Sequence, residues 1–207
     1  MSELALRAFM TLFVVIDPVG MAPVFLGLVG ERSHAEQKRV ARKAVTVAGV
    51  VLLGFATLGD FVLDKLGISI DAFRIAGGVL LFRISVGMVL AAPHQRETEE
   101  EEEEARSRED VSVFPLAIPL IAGPGAMASL LILIGQAGTD VHKLGVVFAM
   151  MALVLGLTWL ALRLSGQLGR VLRRTGANVV TRVLGVLLAA LAVQYVADGI
   201  RGFLKAG

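Results

Sequence analysis

Apolar residues in this chain do not alternate with polar ones. They run on without interruption and are separated by short charged stretches. A bilayer core of roughly 30 Å needs about 20 mostly apolar residues per helix. Six segments have that length: about 8–29, 44–63, 75–92, a stretch inside 111–139, 144–162 and 183–203. Asp17 interrupts the first and Arg83 the third, while Asp60 and Asp198 stand near the ends of the second and sixth. A membrane barrel would alternate with period two, so the pattern predicts an all-α membrane protein with six transmembrane helices. The second helix has a defined start, because Ser33 followed by Glu36 reads as a capping box.

Composition agrees. Of 207 residues, 56% are hydrophobic and the mean hydropathy is +0.76. Soluble domains lie near 45–50% apolar, and so short a chain has no core large enough to hide the excess. Lipid is the simplest solvent for it. There is no cysteine, which excludes disulfides and iron–sulfur clusters. The three histidines, His34, His94 and His142, fall in polar stretches, so neither an intramembrane zinc site nor any cofactor is expected. The N-terminus does not read as a cleavable signal, since Glu3 precedes the first basic residue and no small-x-small site appears before Asp17-Pro18.

The formal net charge of +2 is unevenly spread. Residues 95–110 hold nine acidic side chains and three arginines, and the rest of the chain is strongly basic. One set of connections carries thirteen Lys and Arg (32–43, 96–108 and 163–182), and the other side carries six. Basic loops stay in the cytoplasm, so an inner-membrane protein with both termini outside is expected. The six glutamates Glu99–Glu104 read as a solvated linker, with binding of a cation or a basic partner as the alternative.

The chain also repeats itself weakly. DPVGMAPVFL at 17–26 aligns with GPGAMASLLI at 123–132, matching Pro18, Met21 and Ala22 to Pro124, Met127 and Ala128. Gly78-Val79-Leu80-Leu81 recurs as Gly185-Val186-Leu187-Leu188 at almost the same spacing. Each half has three spans, an odd number, so the second half enters the membrane in the opposite sense. The expected organisation is a first three-helix repeat at 1–92, an acidic cytoplasmic linker at 93–110 and a second, inverted repeat at 111–207. Such repeats are a common architecture of secondary transporters.

Corresponding spans of the two halves carry helix-breaking motifs: Asp17, Pro18, Gly20 and Pro23 in the first, and Pro115, Pro119, Gly123, Pro124 and Gly125 in the fourth. Proline removes an amide and clashes with the preceding turn, and glycine adds backbone freedom. The first and fourth helices are expected to be broken there. Freed backbone groups are tolerated at membrane depth only against protein, water or substrate, and half-helix N-termini attract carboxylates. A carboxylate in mid-span, Asp17, is a functional hypothesis by default. It would hold a substrate ammonium, a sodium ion or a proton, or else cap the helix restarting at Pro18. Arg83 would neutralise Asp17, meet a substrate carboxylate, or snorkel. Gly49, Gly54, Gly59, Gly77 and Gly78 read first as close-packing positions.

These residues resemble the MarC family of integral membrane proteins, grouped with LysE-type exporters. The matching segments are IDPVGMAPVF (16–25), SHAEQKRVARKA (33–44), GISIDAFRIAGGVLLF (67–82), PLAIPLIAGPGA (115–126) and RVLGVLLAALAVQYVADGI (182–200). The resemblance implies six spans and, in one branch, transport of small neutral amino acids. The family's residues map here to Asp17, Pro18, Gly20 and Pro23 in the first span, to Arg74, Gly77 and Gly78 at the third, to Pro119, Gly123, Pro124 and Gly125 in the fourth, and to Gln194 in the sixth, and the substrate site is expected among them, Arg74 excepted. Met21 and Arg83 depart from the family's usual residues.

The expected function is secondary transport, by import or export, of a small neutral amino acid or similar metabolite, with sodium or protons as candidate coupling ions. The chain is expected to work in the lipid bilayer, as a monomer or an oligomer. Transport of an unrelated solute and a non-transporting scaffold or sensor are the alternatives. No catalytic constellation, ATP-binding loop or nucleic-acid signature is present, so the chain is not expected to be an enzyme.

Overall fold

The structure is a computed structural model that describes residues 1–30, 32–90 and 110–206. The linker at 93–109, with Glu99–Glu104, lies outside the described residues. Among the described residues all regular structure is helical. In chain order the elements are α1 (Ser2–Ile16), α2 (Met21–Val29), α3 (His34–Lys65), α4 (Ile70–Leu90), α5 (Ser112–Ile121), α6 (Pro124–Ala137), α7 (Val141–Arg163) and α8 (Ser165–Ala206).

Five stretches are long and apolar enough to cross a membrane, or six when the bent pair α5–α6 counts as one. They are Ser2–Val29, which takes in α1 and α2, then His34–Gly59, Ile70–Leu90, Val141–Arg163 and Val179–Lys205, with a bend of 50° between α5 and α6. The chain is a multi-pass membrane protein.

Local chemistry sets the ends of these helices. Ser33 caps α3: its hydroxyl accepts from the Glu36 amide at 3.4 Å, and its own amide donates to Glu36 at 3.0 Å. At the other end Gly67 turns left-handed with φ +67°, and Ile68 donates to the Leu63 carbonyl at 2.8 Å. That close is available to glycine without a Cβ penalty. Ser69 then accepts from Ala72 at 3.1 Å, which starts α4 at Ile70, ahead of the boundary that hydropathy alone suggests. Asp140 caps α7 by accepting from His142 and Lys143.

One boundary differs from the sequence reading. Hydropathy locates lipid, not helix ends. The basic stretch at 163–182, expected as a loop, belongs to α7 and α8, and α8 is a single helix of 42 residues whose apolar part begins only at Val179. The basic turns at 34–43 are the first turns of α3, as the capping box at Ser33 and Glu36 predicts.

The core lies where α1, α2, α3, α5, α6 and α7 meet. α3 presents Ala41, Ala44, Ala48 and Leu52, all fully buried, along one face. The broad exposed apolar surface outside it, such as Val50, Leu58, Val79 and Val183, belongs to a protein solvated by lipid.

α4 and α8 pack closely along their length. A Cβ at Gly78 would lie 2.7 Å from the Ala192 carbonyl oxygen and 2.7 Å from Val196. At Gly185 it would lie 2.8 Å from the Met88 Cβ, and at Gly199 2.7 Å from the Asp71 carbonyl oxygen. The partners run in opposite directions along the two helices, so the pair is antiparallel. Small residues at such a seam let backbones approach, which is how helices gain contact in lipid. Gly77 faces α6 instead, where a Cβ would lie 2.8 Å from that of Ala128.

Candidate functional site

α1 stops at Ile16 and α2 starts at Met21. Between them Asp17 takes a left-handed conformation with φ 47° and ψ 67°, and its amide still donates to the Phe13 carbonyl. A non-glycine residue rarely adopts this region, and aspartate is among the few that do, through local hydrogen bonds of its short side chain. Here Oδ1 accepts from the Gly20 amide at 3.0 Å. Oδ2 accepts from the Thr181 hydroxyl of α8 at 3.1 Å. The carboxylate therefore closes its own turn and ties the first span to the last. Gly20 must be small, because a Cβ there would collide with the Asp17 carboxylate and lie 2.8 Å from Thr181 Oγ1.

The fourth span is irregular over a longer stretch. Phe114 (φ −127°, ψ 127°) and Ile118 (φ −131°, ψ 121°) are extended, and each precedes a cis proline, Pro115 and Pro119. A residue before proline is pushed out of the α region by the proline ring, so two prolines give two interruptions. Regular helix resumes at Pro124, after the extended Gly123, with no side chain capping the new N-terminus. A Cβ at Gly123 would meet the Pro119 carbonyl oxygen. At Gly125 it would lie 2.8 Å from Leu81 and 3.4 Å from Val15. The uncapped start of α6 therefore sits against the last turn of α1, just before Asp17.

The structure thus brings Asp17, Pro18 and Gly20 together with Thr181, and places Gly125 beside the end of α1 and Gly123 against the Pro119 carbonyl. It does not bring every expected residue there. Pro23, Pro119 and Pro124 are exposed on the outside of their segments. Arg83 stands on the exposed side of α4 and makes no ion pair among the described residues. Gln194 is exposed and donates to Asp198 at 2.8 Å. Arg74 pairs with Asp71 at 2.8 Å, near the end of α4 opposite to the break. Gly77 and Gly78 are spent on helix packing.

Two sets of residues escaped sequence reading. Thr181 was invisible as a partner because it follows a basic stretch and carries no motif. Thr11, Ser129 and Tyr195 are buried on α1, α6 and α8. Ser129 Oγ has no hydrogen-bond partner among the described residues, an uncommon condition for a buried hydroxyl. No three His, Asp or Glu side chains gather into a metal-binding group among the described residues.

Two clefts open at the ends of the bundle, and neither reaches Asp17. One, of about 360 Å³, is lined by Glu3, Arg7, Gln136 and Lys143. The other, of about 320 Å³, is lined by Lys38, Arg39, Arg42, Trp159 and Arg163.

Comparison with known proteins places this architecture. A UPF0056 membrane protein of Methanocaldococcus jannaschii is 38% identical over 197 residues, covering 95% of this chain and 96% of its own. YhcE of Escherichia coli, a UPF0056 membrane protein, is 37% identical over 200 residues, covering 95% and 91%. YvbG of Bacillus subtilis, of the same designation, is 34% identical over 205 residues, covering 98% and 96%. No solved structure matches. The model of the MarC family integral membrane proteins matches residues 2–204, and the chain belongs to that family.

Proposed function

We propose that this protein is a secondary transporter of small neutral amino acids or similar small metabolites, in the inner membrane, with a substrate site at the paired interruptions of its first and fourth spans. The observation that carries the reading is the placement of Asp17. A carboxylate sits in mid-span at the end of α1, held by one backbone amide and one hydroxyl, and the uncapped N-terminus of α6 abuts the same turn. An amino acid has an ammonium for the first and a carboxylate for the second. Asp17 also suits a sodium or proton coupling ion. Gly20 leaves room for the Asp17 carboxylate beside Thr181, and Gly125 lets the start of α6 pack against Leu81 and Val15.

An inverted repeat of residues 1–92 and 111–207 fits the packing. The two third helices, α4 and α8, carry the recurring Gly-Val-Leu-Leu and lie antiparallel, with Gly78 and Gly185 both at the seam. Rocking of the halves about this seam would open Asp17 to each side in turn. The chemistry at the site is binding, without an enzymatic step.

Uptake and counterflow of labelled alanine and glycine in proteoliposomes test the proposal, with imposed sodium or proton gradients and with Asp17→Asn as control. Saturable flux that fails in the variant is the expected result, and the gradient that drives it identifies the coupling ion. Flux no greater than in empty liposomes, from folded protein, removes the amino-acid assignment. Flux unchanged in Asp17→Asn removes the site.

A further inference from the structure

The two end clefts are alike in size and unlike in charge. The 360 Å³ cleft mixes Glu3 with Arg7 and Lys143, and both cations have carboxylates nearby, Glu3 and Asp140 at 3.6 Å each. Among the described residues, the 320 Å³ cleft is lined by four cations and no acid. Lys38, Arg39 and Arg42 come from the first turns of α3, and Arg163 from the last residue of α7. None of the four forms an ion pair among the described residues. Glu36, the carboxylate nearest Arg39 on α3, is engaged by Ser33.

The depth of the cleft is defined as well. α3 carries no charged residue from Ala44 to Gly59, a stretch that begins two residues beyond Arg42 and five beyond Arg39. On α7, Trp159 lies one turn inside Arg163, and the guanidinium sits over its ring at 5.3 Å from the centroid. Tryptophan is enriched at the level of lipid headgroups, and a stacked arginine is held ready for a planar or phosphate anion. Basic pockets between membrane helices take anionic headgroups.

We propose that this cleft between α3 and α7 binds the phosphate headgroup of an anionic phospholipid, with Lys38, Arg39, Arg42 and Arg163 holding the phosphate and Trp159 lying along the upper acyl chain. The site is separate from Asp17 and does not depend on what the protein transports.

Trp159 is the single tryptophan of the chain, so its fluorescence reports on this cleft alone. The full chain is reconstituted in phosphatidylcholine vesicles containing acyl-brominated phosphatidylglycerol or, separately, acyl-brominated phosphatidylcholine at the same mole fraction. Brominated phosphatidylglycerol is expected to quench with an apparent affinity higher by about fivefold or more, the scale set by one cationic contact. Lys38→Gln/Arg42→Gln, which leaves the Arg163–Trp159 contact in place, is expected to abolish that preference in protein with unchanged circular dichroism. Arg39→Gln/Arg163→Gln is a second variant should the first fail to fold. Equal quenching by both lipids in the wild type overturns the proposal, as does a preference that survives both variants. Loss of the preference on adding inorganic phosphate, with the ionic strength matched by chloride, would assign the cleft to a free anion instead of a lipid.

Discussion

Asp17 and Thr181 stand 164 positions apart and meet in a 3.1 Å hydrogen bond. The bond joins the turn that interrupts the first span to the start of the apolar part of α8, and so couples the ends of the chain at the candidate site. The two carboxylate oxygens have separate duties, since the other accepts from Gly20. Asp17→Asn keeps the shape but removes the charge, and transport is expected to fall to background. Thr181→Val leaves Gly20 bonded and removes one hydrogen bond to a charged group, worth about 1.5–3 kcal/mol. Flux is expected to fall about tenfold or more on that scale. Initial rates in proteoliposomes measure both, and unchanged flux in Thr181→Val would detach α8 from the site.

The seam between α4 and α8 makes a stability prediction. Gly78→Ala adds a methyl group 2.7 Å from a backbone oxygen, and overpacking of this kind costs about 1–3 kcal/mol. Gly54→Ala is the matched control, because nothing lies within 4 Å of a Cβ there and alanine is the better helix former by about 1 kcal/mol. Thermal unfolding in detergent is expected to move down for the first and to stay or rise for the second.

The absence of native cysteine makes topology directly testable. Single cysteines at Ser2 and Leu204 are expected to react with a membrane-impermeant maleimide in intact cells. One at Ala35 is expected to react only after permeabilisation. Labelling of Ala35→Cys in intact cells would reverse the proposed orientation.

Acid is expected to loosen the start of the fourth span. Lys43 bonds Asp110, which also accepts from Ser112, and these contacts hold its carboxyl below its ordinary 3.8. With the folded value depressed, the contribution is complete above the unfolded value and is lost as pH falls below it, through the folded value. The pair is exposed, so Asp110→Ala should cost less than about 1 kcal/mol at neutral pH. That difference from the wild type should shrink steadily below pH 3.8. A pH-independent difference would show that the carboxylate's charge is not what anchors the segment.

Hydrophobic run length by itself determined that this is a helical, multi-pass membrane protein, because satisfying backbone groups in lipid leaves helices as the simplest solution for continuous apolar runs. Ser33 and Glu36 likewise fixed the start of α3, since a capping box acts within four residues. Asp17, Pro18 and Gly20 could be singled out from local chemistry, as a carboxylate and a proline are conspicuous in any apolar run. Longer-range relations were decided by tertiary structure. Only packing shows Arg83 turned outward, Gly78 occupied by Ala192 and Val196, and Thr181 brought to Asp17. Only packing also gathers Lys38, Arg39, Arg42 and Arg163 around Trp159. A span's composition is set by the lipid that surrounds it, but the face each residue presents is set by which neighbouring helix comes closest, and small residues scattered along the chain decide that.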